Sequence, residues 1–325
     1  MANILDASAI EYSVKKYPKY FVKTLQKVHT IANGYVRVLP NVTKDAFIKK
    51  LVMDANTISQ VDARDCAWSP VQRLAMDGKT ISVKSYKLNE EQCLEELDNL
   101  YSEMSWSEGA TKLHYPTESG EGGDYDLEDG IMFYLQNSLA SDVEKLIWGG
   151  SGNTVAGVQD GFVDKALASS DSLKITGVTI DATNVLTEIA KVYDMIPNSV
   201  LFEGEFDPSK AAVKIFVDIN TMRYLKQALS TTPTNYQVTL PSWAIEGGKV
   251  FYMDVEIAAV GLPANTMIAA SKDNMVVLTD LLADTQAIRV QHGNDLKDES
   301  MVYYKGAYRL GVDFIFEDEV VIYSK

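Results

Sequence analysis

The sequence is poor in the residue types on which most metal sites and nucleophilic active sites depend. Its 325 residues include two cysteines and three histidines. Cys66 and Cys93 are too few for a disulfide framework and lack the paired spacing of a zinc site, so a reducing compartment is the simplest interpretation. His29, His114 and His292 lie in three separate segments, none beside a Cys, Glu or Asp at ligand spacing. We therefore expect no metal site and no cofactor.

Motifs of the common enzyme classes are missing as well. The chain has no G-x-S-x-G, no H-E-x-x-H and no G-x-G-x-x-G after a strand, so it lacks the defining residues of nucleophilic, zinc-hydrolytic and dinucleotide chemistry. The glycine cluster 149–152 follows a helix pattern and lacks the lysine of a phosphate-binding loop. The acidic loop 118–124 lacks the spacing of a calcium loop. We expect the protein not to be an enzyme, with a soluble two-domain α/β enzyme kept as the alternative from another class.

Long hydrophobic runs are also absent. The longest mainly apolar run, Ile257 to Ala270, is interrupted by Gly261 and Pro263 and is shorter than the ~18 residues that a membrane helix needs. The first residues show no apolar core segment of the kind found in a secretory signal. We expect no membrane partner and no export.

Positive charge is scarce overall but concentrated at one end. The formal net charge is −15, whereas residues 1–50 hold nine basic and three acidic residues, a net of +6 that leaves −21 for the rest. Between Glu90 and Asp129 thirteen acidic residues accompany one basic residue, Lys112. A basic arm and an acidic belt thus coexist in one subunit.

The basic arm interleaves lysines with aromatic residues. Ser8 and Glu11 fit a capping box that opens a short helix, and a second helical stretch runs from Lys19 to Ala32 before Asn33-Gly34. This composition would permit nucleic-acid binding through phosphates and stacking. Because no nucleic-acid-binding motif accompanies it, an amphipathic arm on a neighbouring acidic surface is favoured.

The longest helix pattern runs from Asp126 to Gly152. Starting at Leu127, an apolar residue recurs at every fourth position as far as Ile147. Acidic residues occupy the first turn, and Gly149-Gly150 supply the freedom in φ that ends a helix. At about 1.5 Å per residue this helix is roughly 30 Å long, enough to cross a whole domain.

Two extended runs between Asn56 and Leu88, joined across Asp77-Gly78, predict a long β-hairpin. Because a two-stranded hairpin is marginal in water, one that leaves its own domain normally finds a partner. The lysines of the hairpin are opposite in charge to the acidic residues that follow. We therefore expect the hairpin of one subunit to contact the acidic residues of another subunit and not those of its own. The candidate contact residues are Lys79, Lys84, Lys87, Glu95, Glu96, Asp98, Glu121 and Asp124.

From Ser172 onward the pattern alternates between strands and helices and predicts a second domain. Asp181-Ala182-Thr183 is expected to cap a helix that ends before Pro197, and Asn220 to cap a helix from Thr221 to Leu229. The predicted strands of this part are 213–217, 249–255, 267–270 and 275–279. Two more strands, 303–309 and 313–316, are expected in the last segment and to return to the domain of the long helix.

The order of these parts resembles a tailed-bacteriophage major capsid protein, and more specifically the Hong Kong 97 fold. That fold has an N-arm, an extended E-loop, a peripheral P-domain crossed by a spine helix, and an axial A-domain. The resemblance covers nearly the whole chain. Its best local matches are Leu146 to Gly152 with Gly157-Val158 downstream, Val217 to Leu225, and Lys272 to Asp280.

The resemblance implies an α+β, Hong Kong 97-like major capsid fold. The implied divisions are an N-terminal arm at 1–34, a P-domain start at 35–55, an E-loop at 56–88, a P-domain at 89–171 with its spine helix at 126–148, an A-domain at 172–285, and P-domain return strands at 286–325.

The same resemblance implies a structural virion protein that self-assembles as pentamers and hexamers into an icosahedral shell around phage double-stranded DNA. Such a shell is assembled in the bacterial host cytoplasm. Implied partners are further copies of the chain, portal and scaffolding or decoration proteins, and packaged DNA contacted non-specifically. The Lys–Asn isopeptide bond of some family members has no matching residues here and is not carried over. The nearest alternative is an encapsulin-type nanocompartment shell.

Overall fold

The computed structural model describes residues 28–42, 44–52, 75–93, 112–115, 123–149, 160–201, 212–231, 245–246, 249–280, 289–292 and 301–325. The helices of these residues are α1 (His29–Ala32), α2 (Leu127–Trp148), α3 (Phe162–Ala168), α4 (Val185–Met195), α5 (Asn198–Leu201) and α6 (Ile219–Thr231). The strands are β1 (Arg37–Leu39), β2 (Ala46–Val52), β3 (Ala75–Ile81), β4 (Lys84–Cys93), β5 (Lys112–Tyr115), β6 (Gly123–Asp126), β7 (Leu173–Thr176), β8 (Val213–Val217), β9 (Ile245–Glu246), β10 (Lys249–Tyr252), β11 (Val255–Ala259), β12 (Met267–Ser271), β13 (Met275–Thr279), β14 (Arg289–His292), β15 (Met301–Phe314) and β16 (Val321–Ser324).

The long helix predicted from the sequence is α2, which ends at Trp148. It ends there because Gly149 adopts a left-handed φ of 59°. A Cβ on Gly149 would lie 2.6 Å from the backbone of Gly161, the residue that precedes α3. The two glycines therefore let the end of α2 pack directly against the start of α3.

A seven-stranded sheet, in the order β7-β16-β12-β8-β11-β10-β9, is buried on both faces in its central strands. Side chains alternate between the faces: Ile215 and Val217 of β8 pack with α4 and α6, while Phe216 faces α2. The ring centroids of Phe216 and Trp148 are 5.1 Å apart. Burial on both sides explains why β8 and β12 are nearly continuous hydrophobic runs in the sequence.

The second sheet is organised around β15. This strand pairs with β4 along ten residues, with β14 near its start and with β13 near its end, and β13 in turn pairs with β1. Each of the two sheets takes strands from both sides of residue 285, because β13 belongs to this sheet and β16 to the seven-stranded one.

One hydrophobic core joins α2 to both sheets. It contains Val143 and Ile147 of α2, Ile268 of the seven-stranded sheet, and Val277 and Val312 of the five-stranded sheet. A second core lies between the seven-stranded sheet and helices α4 and α6. The helix α2 therefore acts as the shared support of the two sheets.

The strands β2 and β3 form a separate two-stranded sheet, which we call the ribbon. The predicted turn at Asp77-Gly78 is wrong, because both residues lie inside β3 and pair with Lys50 and Lys49 of β2. Gly78 is suited to this position because the ring of Phe47 covers it, and a Cβ there would lie 2.0 Å from Phe47 Cζ. The residues that connect the two strands, 53–74, lie outside the described part of the chain.

Two strand predictions are also corrected. The predicted strand 249–255 is two strands, because Met253 and Asp254 adopt φ values of 46° and 65° and form the tight turn between β10 and β11. The predicted strands 303–309 and 313–316 are the single strand β15, with residue 315 onward outside it. Pairing with neighbouring strands along its whole length holds β15 extended through Gly306 and Gly311.

The helix caps differ from the prediction for both α4 and α6. The residue before α4 is Asn184, which forms no side-chain capping hydrogen bond, so Asp181 stabilises the turn that leads into the helix and does not cap the helix itself. The Asp181 carboxylate accepts hydrogen bonds from the backbone N–H groups of Thr183 and Asn184, just before α4. At α6 the cap is Asp218 and not Asn220, because the Asp218 carboxylate accepts from the backbone N–H of Asn220 at 3.1 Å and from the hydroxyl of Thr221.

Candidate functional site: the ribbon root and the arm junction

The first candidate site lies where the ribbon meets the body of the protein. Strand alternation places Lys79 and Ile81 on the same side of β3, facing the body. Lys79 Nζ donates hydrogen bonds to Asp313 Oδ1 at 2.7 Å, to the carbonyl of Phe314 at 3.1 Å, and to Glu317 Oε1. These three acceptors match the three protons of a lysine ammonium group.

Helix α3 contributes to the same cluster. The hydroxyl of Ser169, the residue after α3, donates to the second oxygen of Glu317. Lys165 of α3 places its Nζ 3.6 Å from Asp313 Oδ2. Asp313 itself is buried and also accepts the backbone N–H of Phe314 at 2.8 Å. The five residues Lys79, Lys165, Ser169, Asp313 and Glu317 are called the root cluster below.

The electrostatics of the root cluster favour its charged form. Burial lowers the pKa of Lys79, but hydrogen bonds to Asp313 and Glu317 outweigh it, and the pKa lies above its ordinary value. Burial raises the pKa of Glu317, but hydrogen bonds from Lys79 and Ser169 outweigh it, and the pKa lies below its ordinary value. Both shifts stabilise the ion pair near neutral pH.

An apolar contact lies beside the root cluster. Ile81, the last residue of β3, is 1% exposed and packs with Val276 and Leu278 of β13. Ala46 and Ile48 of β2 pack against the same apolar cluster. The ribbon is thus attached to the body by an apolar contact centred on Ile81 and by the hydrogen bonds of Lys79, two residues away.

The second candidate site joins the first described residues to the end of α2. The Glu144 carboxylate accepts from the Thr30 backbone N–H at 3.0 Å, the Thr30 hydroxyl at 2.6 Å, the Trp148 indole N–H at 3.1 Å and the Gly261 N–H at 3.3 Å. The indole N–H of Trp148 also lies 2.7 Å from the Thr30 hydroxyl oxygen. We call these four residues the arm junction.

The arm junction buries a carboxylate without a cation. Glu144 is 8% exposed, and within the described part of the chain it forms no ion pair. Its four neutral donors take the place of water, which is the condition for burying such a group at tolerable free energy. Because the donors come from α1, α2 and the loop after β11, the carboxylate holds three separate elements in one arrangement.

A third buried carboxylate, that of Glu188, joins α4 to the seven-stranded sheet. Glu188 accepts from the Tyr323 hydroxyl at 2.8 Å and from Lys191 Nζ at 2.8 Å. Burial raises the pKa of Glu188, but the hydrogen bonds from Lys191 and Tyr323 outweigh it and hold the pKa below its ordinary value. Burial, followed by the neighbouring Glu188 carboxylate, raises the pKa of Tyr323 to about 12.

The contact residues predicted from the sequence fall into four groups. Lys79 has its partners in its own chain, where the sequence predicted a neighbouring subunit. Lys84 and Lys87 are exposed on β4 and form no ion pair with another described residue. Asp124 lies in β6. The remaining four, Glu95, Glu96, Asp98 and Glu121, lie outside the described residues.

Sequence reasoning missed the acceptors of Lys79 and the whole arm junction. Asp313 and Glu317 lie in a segment that the sequence marks only as strand and acidic turn, so no local signal ties them to Lys79. A signal for the arm junction was available: Glu144 and Trp148 are four apart on α2, and Glu144 falls beside the apolar stripe, where a carboxylate needs partners.

The described residues carry no indication of two other kinds of site. No group of three or more His, Cys, Asp or Glu side chains among them is placed to hold a metal ion. None of the described helices is both long enough and apolar enough to cross a membrane.

The sequence matches no protein-family model and no curated protein. Solved structures do match. The satellite phage P4 procapsid that includes size determination (Sid) protein matches with a TM-score of 0.59 at 10% identity, over 97% of this chain and 91% of that one. The capsid of Myoviridae phage XM1 matches with a TM-score of 0.53 at 11% identity, over 99% of each chain. The capsid of a native GTA particle matches with a TM-score of 0.52 at 12% identity, over 90% of this chain and 88% of that one.

These likenesses, which span nearly the full length of both chains, establish the fold. The chain has the Hong Kong 97-like major capsid fold, as the order of its parts predicted. In this chain the fold takes the form of a mixed α and β architecture, with a long helix supporting two sheets and a separate ribbon.

Proposed function

We propose that this chain is the structural shell protein of a tailed double-stranded DNA bacteriophage, assembling as pentamers and hexamers into an icosahedral virion capsid. The observation that carries the proposal is the match to capsid structures over nearly the whole chain. A structural role also agrees with the chemistry of the two candidate sites, whose charged groups are engaged by hydrogen-bond partners within the chain.

The ribbon supports assembly through copies of the same chain. Its outward face carries Phe47, which is 60% exposed, beside the exposed Lys49. A two-stranded sheet gains little stability alone, so a ribbon whose contacts with the body, among the described residues, lie at its root gains from a second surface. In a closed shell the same patches are used by every subunit, and the neighbouring copy supplies that surface.

In the proposed shell the arm 1–34, the spine helix 126–148, the A-domain 172–285 and the P-domain in the remainder keep the roles expected from the sequence. The E-loop, expected at 56–88, is now proposed for the ribbon and the residues between its strands, 46–81, because residues 84–88 belong to β4 of the five-stranded sheet. Lys84 and Lys87 remain the proposed inter-subunit contacts of β4, with Glu95, Glu96, Asp98, Glu121 and Asp124 as the proposed acidic partners. The net charge of −15 suits a wall that encloses DNA without gripping it. Portal and scaffolding or decoration proteins are the further proposed partners, and the proposed place of assembly is the bacterial host cytoplasm.

The test is electron microscopy of the purified chain combined with an assay of its contents. Capsomers or closed shells are the expected product, and particles from infected cells should contain double-stranded DNA. Shells filled with protein in place of DNA would favour the encapsulin alternative. A chain that stays monomeric at high concentration in both low and high salt contradicts a shell function and favours a soluble α/β protein.

A further inference from the structure

We propose that the root cluster is a conformational device that sets the angle between the ribbon and the body, with Ile81 as the pivot. The proposal goes beyond the shell function, because it concerns a property of the single chain. It rests on the difference between the two contacts that attach the ribbon, one apolar and one built from directional hydrogen bonds.

Within the described residues, no strand of the body forms ladder hydrogen bonds with the ribbon, and β2 and β3 pair only with each other. Residues 82 and 83, which belong to no strand, connect β3 to β4. At this connection the Val83 N–H donates to Asp45 Oδ1 at 3.1 Å, and a Cβ on Gly311 would lie 2.7 Å from the carbonyl oxygen of Ser82. The connection is therefore a close-packed corner where the ribbon leaves the body.

The two contacts respond differently to rotation about this corner. Apolar contact is non-directional, so Ile81 can stay buried against Val276 and Leu278 through a change of angle. The hydrogen bonds of Lys79 to Asp313, Phe314 and Glu317 are directional and weaken steeply when their geometry changes. The root cluster therefore selects one angle, whereas Ile81 alone permits a range.

The root cluster also links the ribbon to both sheets. Asp313 and Phe314 end β15 of the five-stranded sheet. Glu317 opens the 3₁₀ turn Glu317–Glu319, which leads into β16 of the seven-stranded sheet. Through Ser169 the cluster reaches the end of α3, which packs beside α2. A change in the ribbon angle must therefore break contacts that also fix the joint between the sheets, and a shift of the sheets would release the ribbon.

Double electron–electron resonance spectroscopy, which measures the distance between two spin labels, tests the proposal on the full-length, unassembled chain. The labels are placed at Lys49→Cys on the ribbon and Thr187→Cys on α4, in a background with Cys66→Ser and Cys93→Ser. Lys79→Met removes the ammonium group and keeps the apolar stem. Lys84→Met, an exposed lysine on β4, is its matched control.

A narrow distance distribution is expected in the background and in the Lys84→Met variant. In Lys79→Met the width of the distance distribution should increase by about twofold or more, because several ribbon angles become populated. Glu317→Ala keeps Asp313 paired and supplies the same test if Lys79→Met does not fold, with the exposed neighbour Asp318→Ala as its control. An unchanged width in Lys79→Met or Glu317→Ala overturns the proposal, as does equal broadening in the controls. Since no shell is needed, failure of the shell function leaves this result interpretable.

Discussion

Thr30 donates two hydrogen bonds to Glu144, although 114 residues separate the two in the sequence. One comes from the backbone N–H and the other from the side-chain hydroxyl, and each reaches a different oxygen of the carboxylate. Trp148 shares the same hydroxyl, so the first described residues of the chain are fixed to the last turn of α2. The position where the basic arm leaves the body is thereby set by a buried carboxylate.

Thr30→Val should destabilise the folded chain while preserving the shape of the side chain. It removes one donor from a buried carboxylate and one acceptor from Trp148, which should lower the free energy of unfolding by about 1–3 kcal/mol. Urea denaturation of the unassembled chain measures the change. Thr80→Val, at an exposed position of the ribbon, is the control and should change the free energy by less than about 0.5 kcal/mol. Equal effects of the two substitutions would contradict the role given to the arm junction.

A comparison of Gly149→Ala with Gly34→Ala separates the backbone strain of a positive φ from the steric clash of an added Cβ. Both glycines have positive φ, 59° and 63°, so both substitutions carry backbone strain of about 1 kcal/mol. A Cβ at Gly149 would also lie 2.6 Å from the Gly161 backbone, whereas at Gly34 it would meet only the flexible end of Lys272 at 3.6 Å. Gly149→Ala should therefore abolish or nearly abolish soluble folded protein, and Gly34→Ala should yield folded protein with a small loss of stability. Comparable yields of the two variants would contradict the close packing of α2 against α3.

The pH dependence of stability should show a plateau with an acid decline. The pKa values of Glu188 and Glu317 are held below their ordinary values, so their contribution is fully present above the unfolded-state pKa of about 4.3 and is lost as the pH falls through the folded-state values. Lys79 has a raised pKa, so its contribution is present below about 10.4 and is lost as the pH rises through its folded-state value.

Denaturation midpoints measured between about pH 3 and pH 8 test the acid side of this dependence. On the plateau, Glu188→Gln should be less stable than the parent chain. On acidification its free energy of unfolding should fall by less, because the variant lacks a carboxylate that must be protonated. An acid decline as steep in Glu188→Gln as in the parent chain would show that other carboxylates are responsible.

Reversal of charge at Lys84 and Lys87 should weaken assembly and leave the subunit folded. Both residues are exposed and form no ion pair with a described residue of their own chain. The defect should be largest in low salt and shrink as the ionic strength approaches about 1 M, where the Debye length falls to about 3 Å. Assembly yield by light scattering is the measurement. The double variant Lys226→Glu and Lys272→Glu, which changes the net charge equally, is the control, and normal assembly of the Lys84 and Lys87 variant at every salt concentration would remove these residues from the proposed interface.

Sequence patterns predicted the elements whose signals lie within one stretch of chain. The period of α2 and its glycine end, the strands 213–217 and 275–279, and the stop of α4 before Pro197 all depend on neighbouring residues. The order of these elements was also sufficient to predict the capsid fold, because that order is itself a property of the sequence. Local patterns failed where a distant side chain decides the outcome.

The Asp77-Gly78 pair illustrates this failure. An Asp-Gly pair between extended runs is a strong turn signal, but here Phe47 of the paired strand covers the glycine and the chain continues as a strand. The same limit applies to Lys79, whose acceptor Asp313 is 234 residues away. A positive charge beside an acidic belt suggested a neighbouring subunit, and only the folded chain brings the buried carboxylate within reach.

What the sequence determined by itself was the long helix α2, the helices α4 and α6 and several of the strands, with their order and their apolar faces, because periodicity and glycine placement act over a few residues. The tertiary structure alone decided that both sheets share α2, that Glu144 joins three elements, and that Lys79 is satisfied within its own chain. These features depend on the packing of residues that are far apart in sequence. A buried charge is stable only where folding delivers its partners, so its position becomes explicable only when the whole chain is folded.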